Sequence, residues 1–248
     1  MIDVEISSDY LMRETGTSEG TQVKYYKDDY WYKLDNRGNE GLVEYLVSKF
    51  LTFTDLSPSE YVAYEQVDIN GRRGCRSRNF LKGDGEFVTF YRLYQNEQGE
   101  DLSKVIGMMD AMEERIEYTV RFIKESCGID VTDYLKKIFT LDRIILNEDR
   151  HLNNLGLVYM GGRFAPAPIF DQGLSLLTAN QSVNWRLPVE ENVRRVVARP
   201  FSGSHEKMWE YFGEGFGVDA RAVFEWLETE PDSKEKEVLE YQIRTLCL

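Results

Sequence analysis

A polar loop followed by a short acidic segment constrains this chain more than any other feature of its sequence. Residues 146–156 read Leu-Asn-Glu-Asp-Arg-His-Leu-Asn-Asn-Leu-Gly, and residues 169–173 read Ile-Phe-Asp-Gln-Gly. The chain thus presents Asp149, then the carboxamide of Asn154, then Asp171. Phosphoryl transfer with Mg²⁺ needs a carboxylate to orient and deprotonate the attacking hydroxyl, and an amide oxygen and a second carboxylate to hold the metal. These three residues can fill those roles in that order, although short motifs of this kind also occur in ordinary polar loops.

The flanking residues predict how the motif is presented. Apolar residues at helical spacing predict a helix over 131–145, which the Asn-Glu-Asp cluster then interrupts. The apolar run at 155–159 ends at two glycines, and residues 164–170 are suited to be its hairpin partner. Because a hairpin brings its two ends together, Asn154 and Asp171 are expected to be neighbours in space.

The first third of the chain is rich in strand-forming residues around one amphipathic segment. Strands are predicted over 23–26, 30–34, 61–68 and 87–94, with a possible fifth over 2–6 and a connector over 72–85. Residues 40–51 have an apolar stripe at helical spacing. Lys33 lies in the second clear strand, where a lysine can neutralise nucleotide phosphates if a glutamate from the following helix holds it. An upstream turn combines glycine and hydroxyl residues whose backbone N–H groups can close on phosphates, at Gly16, Thr17, Ser18 and Gly20.

Charge and composition restrict the partners and the compartment. The net charge of -13 disfavours non-specific binding to nucleic acid or to anionic membranes. A cluster of arginines at 72–78 is most simply explained as a solvated hairpin tip. The three cysteines match neither a zinc site nor a disulfide framework, which fits a reducing cytosol. No stretch approaches a membrane helix and the first residues do not form a signal peptide, so a cytoplasmic protein is expected.

The Asn-x-Asp-Arg-His-x-x-Asn loop with the later Ile-Phe-Asp-x-Gly segment resembles the HipA-like branch of the protein-kinase-like fold. The resemblance implies that Asp149 is the catalytic base and that Asn154 and Asp171 bind metal, with Asn153 as a register alternative to Asn154. It also implies that the turn around Ser18 is a phosphate loop. Glu44 matches the family position of the partner of Lys33, and Glu40 is held in reserve.

The same order of elements puts the adenine hinge at residues 91–94, where backbone groups of Tyr91 and Leu93 would bind the base. The chain as a whole is therefore expected to have an α+β, two-lobed protein-kinase-like fold. The predicted boundary separates a small β-rich N-lobe, 1–94, from a helical C-lobe, 95–248.

The predicted activity is that of an ATP- and Mg²⁺-dependent protein serine/threonine kinase. Autophosphorylation in the glycine loop is expected at Ser18, with Thr17 as second choice. A protein substrate and an antitoxin-type protein are the expected partners, with no direct nucleic-acid or membrane binding. Two alternatives remain open at this point: a small-molecule or phosphoinositide-type kinase on the same fold, and a nucleotide-binding pseudokinase that serves as an interaction module.

Overall fold

A computed structural model describes the chain over residues 2–12 and 22–247. The predicted phosphate-loop residues Gly16, Thr17, Ser18 and Gly20 lie outside the described residues. Within these ranges, the N-terminal part contains six strands and one long helix, in the order β1 (Ile2–Val4), a 3-10 turn (Ser8–Tyr10), β2 (Lys24–Lys27), β3 (Tyr30–Leu34), α1 (Glu40–Leu51), β4 (Tyr64–Ile69), β5 (Arg72–Arg78) and β6 (Glu86–Thr89).

Five of these strands form one sheet in the order β1-β4-β5-β3-β2. β1 runs parallel to β4, and the other neighbours are antiparallel. The hairpin between β2 and β3 turns at Asp28 and Asp29, whose φ angles of 52° and 65° are those of a primed two-residue turn. This turn sets the register that pairs Lys24 with Lys33, so the two lysines emerge on the same face of the sheet.

β5 corrects the sequence prediction, which assigned residues 72–85 to a connector. Arg72–Arg78 is a strand at the centre of the sheet, paired with both β3 and β4. Its buried residues are Gly74, Cys75 and Ser77, which are too small to produce a hydrophobic alternation that a sequence pattern could detect. Gly74 is required, because a Cβ there would lie 2.1 Å from the Lys33 carbonyl oxygen.

The predicted strand over 87–94 is wrong beyond Thr89. β6 ends there, and the Thr89 side chain accepts a hydrogen bond from the Arg92 N–H, which caps a new helix, α2 (Phe90–Gln98). Phe90 and Leu93 are residue types that suit a strand as well as a helix. In the structure both are buried on the core side of α2, which is capped by Gly99 at a φ angle of 73°.

The remainder of the described chain is mostly helical. The helices are α3 (Leu102–Gly107), α4 (Met112–Cys127), α5 (Thr132–Ile145), α6 (Val189–Val193), α7 (His205–Phe212), α8 (Ala220–Leu227) and α9 (Lys234–Leu246). A hairpin of β7 (Gly156–Met160) and β8 (Arg163–Pro166) follows α5, and β7 also pairs with β6 to make a three-stranded sheet. The predicted helix and hairpin on either side of the Asp149 loop are therefore confirmed, with β8 shorter than predicted.

The main hydrophobic core joins α1 to the helical part of the chain. Val43, Leu46 and Phe50 of α1 are fully buried in the same cluster as Leu135 and Phe139 of α5. A smaller cluster lies around Tyr32 and Val67 in the five-stranded sheet. The predicted α+β fold is confirmed, whereas the proposed boundary at residue 94 stays a prediction. None of the helices within 2–12 and 22–247 is long and apolar enough to cross a membrane.

Candidate active site

A buried lysine lies between two carboxylates at the centre of the molecule. Lys33 Nζ is 2.9 Å from Glu44 Oε1 and 2.6 Å from Asp171 Oδ1. Lys33 is 8% exposed and Glu44 is 1% exposed. A charge in such a place is tolerated only when it is paired and hydrogen-bonded, so this three-residue cluster is a built site and not a chance surface contact.

Glu44, and not Glu40, is the glutamate that reaches Lys33. The second Glu44 oxygen, Oε2, accepts a hydrogen bond from the Gln172 N–H at 2.9 Å. Glu40 instead accepts backbone N–H groups of the preceding turn, from Arg37 at 2.6 Å and from Gly38 at 3.1 Å. Glu40 therefore holds the turn that precedes α1 and is not available to Lys33.

Asp171 follows the β7–β8 hairpin in a left-handed backbone conformation, φ 64°. The hydroxyl oxygen of Tyr64, on β4, accepts a hydrogen bond from the Asp171 N–H at 3.4 Å. The Tyr64 ring also lies beneath the Lys33 ammonium, which is 5.2 Å from the ring centroid. Tyr64 thus contacts both members of the Lys33–Asp171 ion pair.

Arg150 connects the loop that carries Asp149 to the segment that carries Asp171. The side chain is fully buried and donates to both carboxylate oxygens of Asp142, at 2.9 and 2.8 Å. It also donates to the Phe170 carbonyl at 3.1 Å and to Gln172 Oε1 at 2.6 Å. Since Phe170 and Gln172 flank Asp171, one guanidinium fixes the position of that carboxylate relative to the loop.

Asp149 and Asn154 lie together on the loop that follows α5. The side-chain amide of Asn154 donates to the Asp149 carbonyl at 3.1 Å. His151 Nε2 is 3.9 Å from Asp149 Oδ2, which is beyond a hydrogen bond. Asn153 is turned elsewhere, because its Oδ1 accepts the Thr89 hydroxyl at 3.1 Å.

The unpaired oxygens of this site fit a metal ion. Asn154 is 2% exposed, yet its Oδ1 has no hydrogen-bond partner within the described chain. Asp171 uses Oδ1 for Lys33, which leaves its second oxygen free of hydrogen bonds to described residues. An amide oxygen and a carboxylate oxygen are ligands that Mg²⁺ accepts, with water and phosphate oxygens completing its shell. Among the described residues no group of three or more His, Cys, Asp and Glu side chains could hold a metal without such help.

Charge and burial act in opposite directions on these carboxyl groups. Burial favours a raised pKa for Asp171, but Lys33 and Lys24 outweigh it and hold the pKa below its usual range. Burial raises the pKa of Asp149, and the neighbouring His151 only partly opposes that effect. Asp171 is therefore held in its ionised form, and Asp149 is the more basic of the two carboxylates.

A cleft opens beside Lys33 and Asp171. Its walls are mainly apolar, and its lining residues are Lys24, Trp31, Lys33, Val62, Tyr64, Ser77, Arg78, Asn79, Phe80, Leu81, Phe87, Phe170 and Asp171. An apolar cleft with a few charged groups is typical of a small-molecule site.

The predicted hinge residues Tyr91 and Leu93 do not reach this cleft. Both lie in α2, where the Tyr91 N–H donates to the Leu152 carbonyl and Leu93 is buried in the core. The segment that lines the cleft after β5 is instead 79–81. The assignment of Tyr91 and Leu93 to the adenine hinge therefore stays a prediction, which the lining of the cleft does not support.

Sequence reasoning assigned no site role to Tyr64 or Arg150. Lys24 shares the sheet face of Lys33, because the two residues lie opposite each other in the β2–β3 hairpin. Arg150 lay inside the motif, but its buried contact with Asp142 depends on the packing of α5. Nothing in the sequence around Tyr64 distinguishes it from the other tyrosines.

The sheet, α1, the Asp149 loop and the helical C-terminal part together form the HipA-like, protein-kinase-like fold. Two solved structures have this fold. The Helicobacter pylori proinflammatory kinase CtkA superposes with a TM-score of 0.68 at 15% identity, covering 98% of this chain and 93% of CtkA. HipA of Shewanella oneidensis, solved with HipB and operator DNA, gives a TM-score of 0.50 at 11% identity, covering 96% of this chain and 66% of HipA.

These likenesses establish the fold, and the predicted resemblance to HipA-like kinases is confirmed at that level. The chain spans about two thirds of the Shewanella HipA. No protein-family model and no curated protein matches the sequence.

Proposed function

We propose that the chain is an ATP- and Mg²⁺-dependent kinase that transfers a phosphoryl group to a serine or threonine hydroxyl of a protein. The observation that carries this proposal is the buried Lys33 between Glu44 and Asp171, at the mouth of an apolar cleft. The kinase fold of the two solved structures supports it.

Each residue has a distinct task in the proposed reaction. Lys33, fixed by Glu44, would neutralise the α- and β-phosphates of the nucleotide, whose base would occupy the apolar part of the cleft. Asn154 and Asp171 would hold Mg²⁺, which neutralises the developing charge on the transferred phosphoryl group. Asp149 would orient the acceptor hydroxyl and accept its proton.

The raised pKa of Asp149 suits the role of base, because a more basic carboxylate accepts a proton more readily. The lowered pKa of Asp171 suits the role of metal ligand, which must be deprotonated. The surroundings thus raise the pKa of Asp149, as a base requires, and lower the pKa of Asp171, as a metal ligand requires.

Incubation of the pure protein with γ-labelled ATP and Mg²⁺ tests the proposal directly. Labelled phosphate on serine or threonine, located by mass spectrometry and absent from a Lys33→Met sample, is the expected result. Nucleotide binding without transfer to the protein itself or to any protein of a cell extract would favour a pseudokinase. Transfer to a lipid or metabolite alone would favour the small-molecule alternative.

We also propose that the loop around Ser18 is modified by the enzyme itself. Thr15, Thr17, Ser18 and Thr21 crowd the glycine turn, and a phosphate there would add about two negative charges where ATP phosphates bind. Ser18, or Thr17 as second choice, is expected to carry it. Nucleotide affinity is measured before and after autophosphorylation and in Ser18→Ala, and an unchanged affinity after modification would refute the regulatory role.

An antitoxin-type protein is the proposed macromolecular partner. Support comes from the Shewanella HipA, which was solved with HipB. Copurification of the tagged chain with the product of a neighbouring gene is the expected result. If the tagged chain copurifies with no such protein, the proposed partner is refuted and the kinase assignment is unaffected.

A further inference from the structure

A buried glutamate at the start of α9 accepts hydrogen bonds from two other parts of the chain. Glu235 lies in the first turn of α9 and is 4% exposed. Its Oε1 accepts the side-chain amide of Asn39 at 3.0 Å and the hydroxyl of Thr178 at 2.8 Å. Within the described chain, no lysine, arginine or histidine forms an ion pair with it. Because a buried acid without a cation is costly, its position depends on these two donors and on the positive end of the helix.

Asn39 is the residue immediately before α1, and its side chain does not cap that helix. An asparagine at this position commonly accepts a backbone N–H of the first turn, but Asn39 makes no such bond. Its amide donates to Glu235 instead, and its backbone N–H donates to the Thr178 hydroxyl oxygen at 2.9 Å. The neighbouring Gly38 allows this close approach, since a Cβ there would lie 2.5 Å from the Thr178 carbonyl oxygen. The start of α1 is thus held against Thr178 and Glu235.

Thr178 lies at the end of residues 171–178, the Asp171 segment. Two residues of this segment, Leu176 and Leu177, have positive φ angles of 51° and 62°, which residues other than glycine rarely adopt. A backbone of this kind persists only where the surrounding structure holds it. The hydrogen bond from Thr178 to Glu235 holds the end of the segment.

The contacts of Glu235 join two parts of the candidate active site. The first is α1, which carries Glu44, the residue that pairs with Lys33 and accepts the Gln172 N–H. The second is the Asp171 segment, which carries the other partner of Lys33. A displacement of either element would move one carboxylate away from the ammonium group.

We propose that Glu235 is a positioning residue of the active site. Through Asn39 and Thr178 it aligns α1 with the Asp171 segment, so that the two carboxylates meet the same lysine. This inference rests on the proposed kinase function. Loss of the accepting oxygen should weaken the binding of nucleotide and Mg²⁺ and slow the transfer, because a displacement of about 1 Å in a catalytic site can lower the rate about a hundredfold.

Two substitutions of Glu235 test the inference. Glu235→Ala removes both hydrogen bonds, so kcat/KM for ATP should fall about ten- to a hundredfold, and the Mg²⁺ concentration for half-maximal rate should rise. Glu235→Gln keeps an oxygen that can accept both bonds, so its constants should stay close to those of the wild type. Titration with a fluorescent, non-hydrolysable ATP analogue in the presence of Mg²⁺ measures the affinity independently of transfer.

Thr178→Val provides a second, milder perturbation. Valine keeps the shape of the side chain but removes the hydroxyl that donates to Glu235 and accepts the Asn39 N–H. The KM for ATP and the affinity for the analogue should change in the same direction as in Glu235→Ala. If Glu235→Ala does not fold, this variant decides the question in its place.

Gln242→Ala is the matched control. Gln242 is another buried polar residue of α9, 5% exposed, and its amide donates to the Arg143 carbonyl on α5 at 3.1 Å. Its replacement weakens the packing of α9 through a different neighbour, so the variant should lose stability and keep the wild-type kcat/KM and affinity. Every variant is measured at a temperature at which its melting curve shows it to be folded.

The outcomes separate this inference from the proposed function. Wild-type constants in Glu235→Ala, or equal losses in Gln242→Ala, would overturn the inference and leave the kinase assignment standing. Impairment of Glu235→Gln to the level of Glu235→Ala would also overturn it, since the charge and not the accepting oxygen would then matter. If the wild type binds the analogue but transfers phosphate to no protein, the proposed function fails, and the affinities of the variants still decide whether Glu235 positions the site.

Discussion

Arg150 offers the sharpest test of how the site is held together. Its guanidinium is fully buried and makes four hydrogen bonds, two of them to the equally buried Asp142 carboxylate. Arg150→Met keeps much of the apolar volume but leaves Asp142 as an unpaired charge in the core. Breaking a buried pair in this way costs about 3–5 kcal/mol.

That loss is a large part of the total free energy of unfolding of a typical domain, about 5–15 kcal/mol. For a chain of this length each kcal/mol corresponds to about 2–4 °C in Tm, so Arg150→Met should melt about 6–20 °C below the wild type. Chemical denaturation gives the free energy, and calorimetry gives Tm.

Two variants provide the controls for Arg150→Met. Arg221→Met removes an exposed ion pair with Glu225 by the same substitution, and it should change stability by less than about 1 kcal/mol. The double variant Asp142→Leu/Arg150→Met removes both buried charges and should recover part of the lost stability. If Arg150→Met lies within 1 kcal/mol of the wild type, or if the double variant is no better than the single one, the reasoning about Arg150 is wrong.

Four further predictions concern the proposed reaction. Asp149→Asn should abolish phosphoryl transfer while leaving Mg²⁺-nucleotide binding intact, whereas Asp171→Asn should weaken both; near-normal turnover of either variant would contradict its assignment. Asn154→Ala should raise the Mg²⁺ concentration needed for half-maximal rate far more than Asn153→Ala, because the Asn153 oxygen is occupied by a hydroxyl; equal effects would favour the other register. Since the base must be ionised and the pKa of Asp149 is raised, kcat/KM should fall on acidification at a pH above that of an ordinary aspartate, which a pH–rate profile measures. Because the pKa of Asp171 is lowered in the folded state, its ionised form stabilises the fold at any pH above the unfolded-state pKa. This stabilisation is lost as the pH falls through the folded-state pKa. Acidification should therefore reduce the free energy of unfolding less in Asp171→Asn than in the wild type.

The parts of the fold that the sequence predicted well are those in which a single local pattern decides the structure. The apolar stripe of residues 40–51 predicted α1 with its observed bounds. The interruption after α5 and the paired glycines at 161 and 162 predicted a loop and a hairpin, which bring Asp171 close to the Asp149 loop. Local patterns are sufficient in these places because the apolar spacing and the turn residues lie within each element.

Prediction failed where packing against neighbouring elements decides the structure. β5 is buried through Gly74, Cys75 and Ser77, so its sequence resembles a loop although it lies at the centre of the sheet. The strand predicted over 87–94 is wrong beyond Thr89, because that capping threonine begins a helix that contains Tyr91 and Leu93. The contacts of Arg150 depend on tertiary packing, so no spacing of residues along the sequence predicts them.

The arrangement of Lys33 between Glu44 and Asp171 means that the protein supplies its own counter-ion. Two neighbouring carboxylates would repel each other in the absence of a bound metal, but the ammonium group lies within 3 Å of both. The proposed magnesium ion is therefore not needed to balance their charges, in contrast to small domains that unfold when their metal is removed. We expect that withdrawal of Mg²⁺ would stop the proposed reaction and leave the protein folded, so that activity would return with the ion.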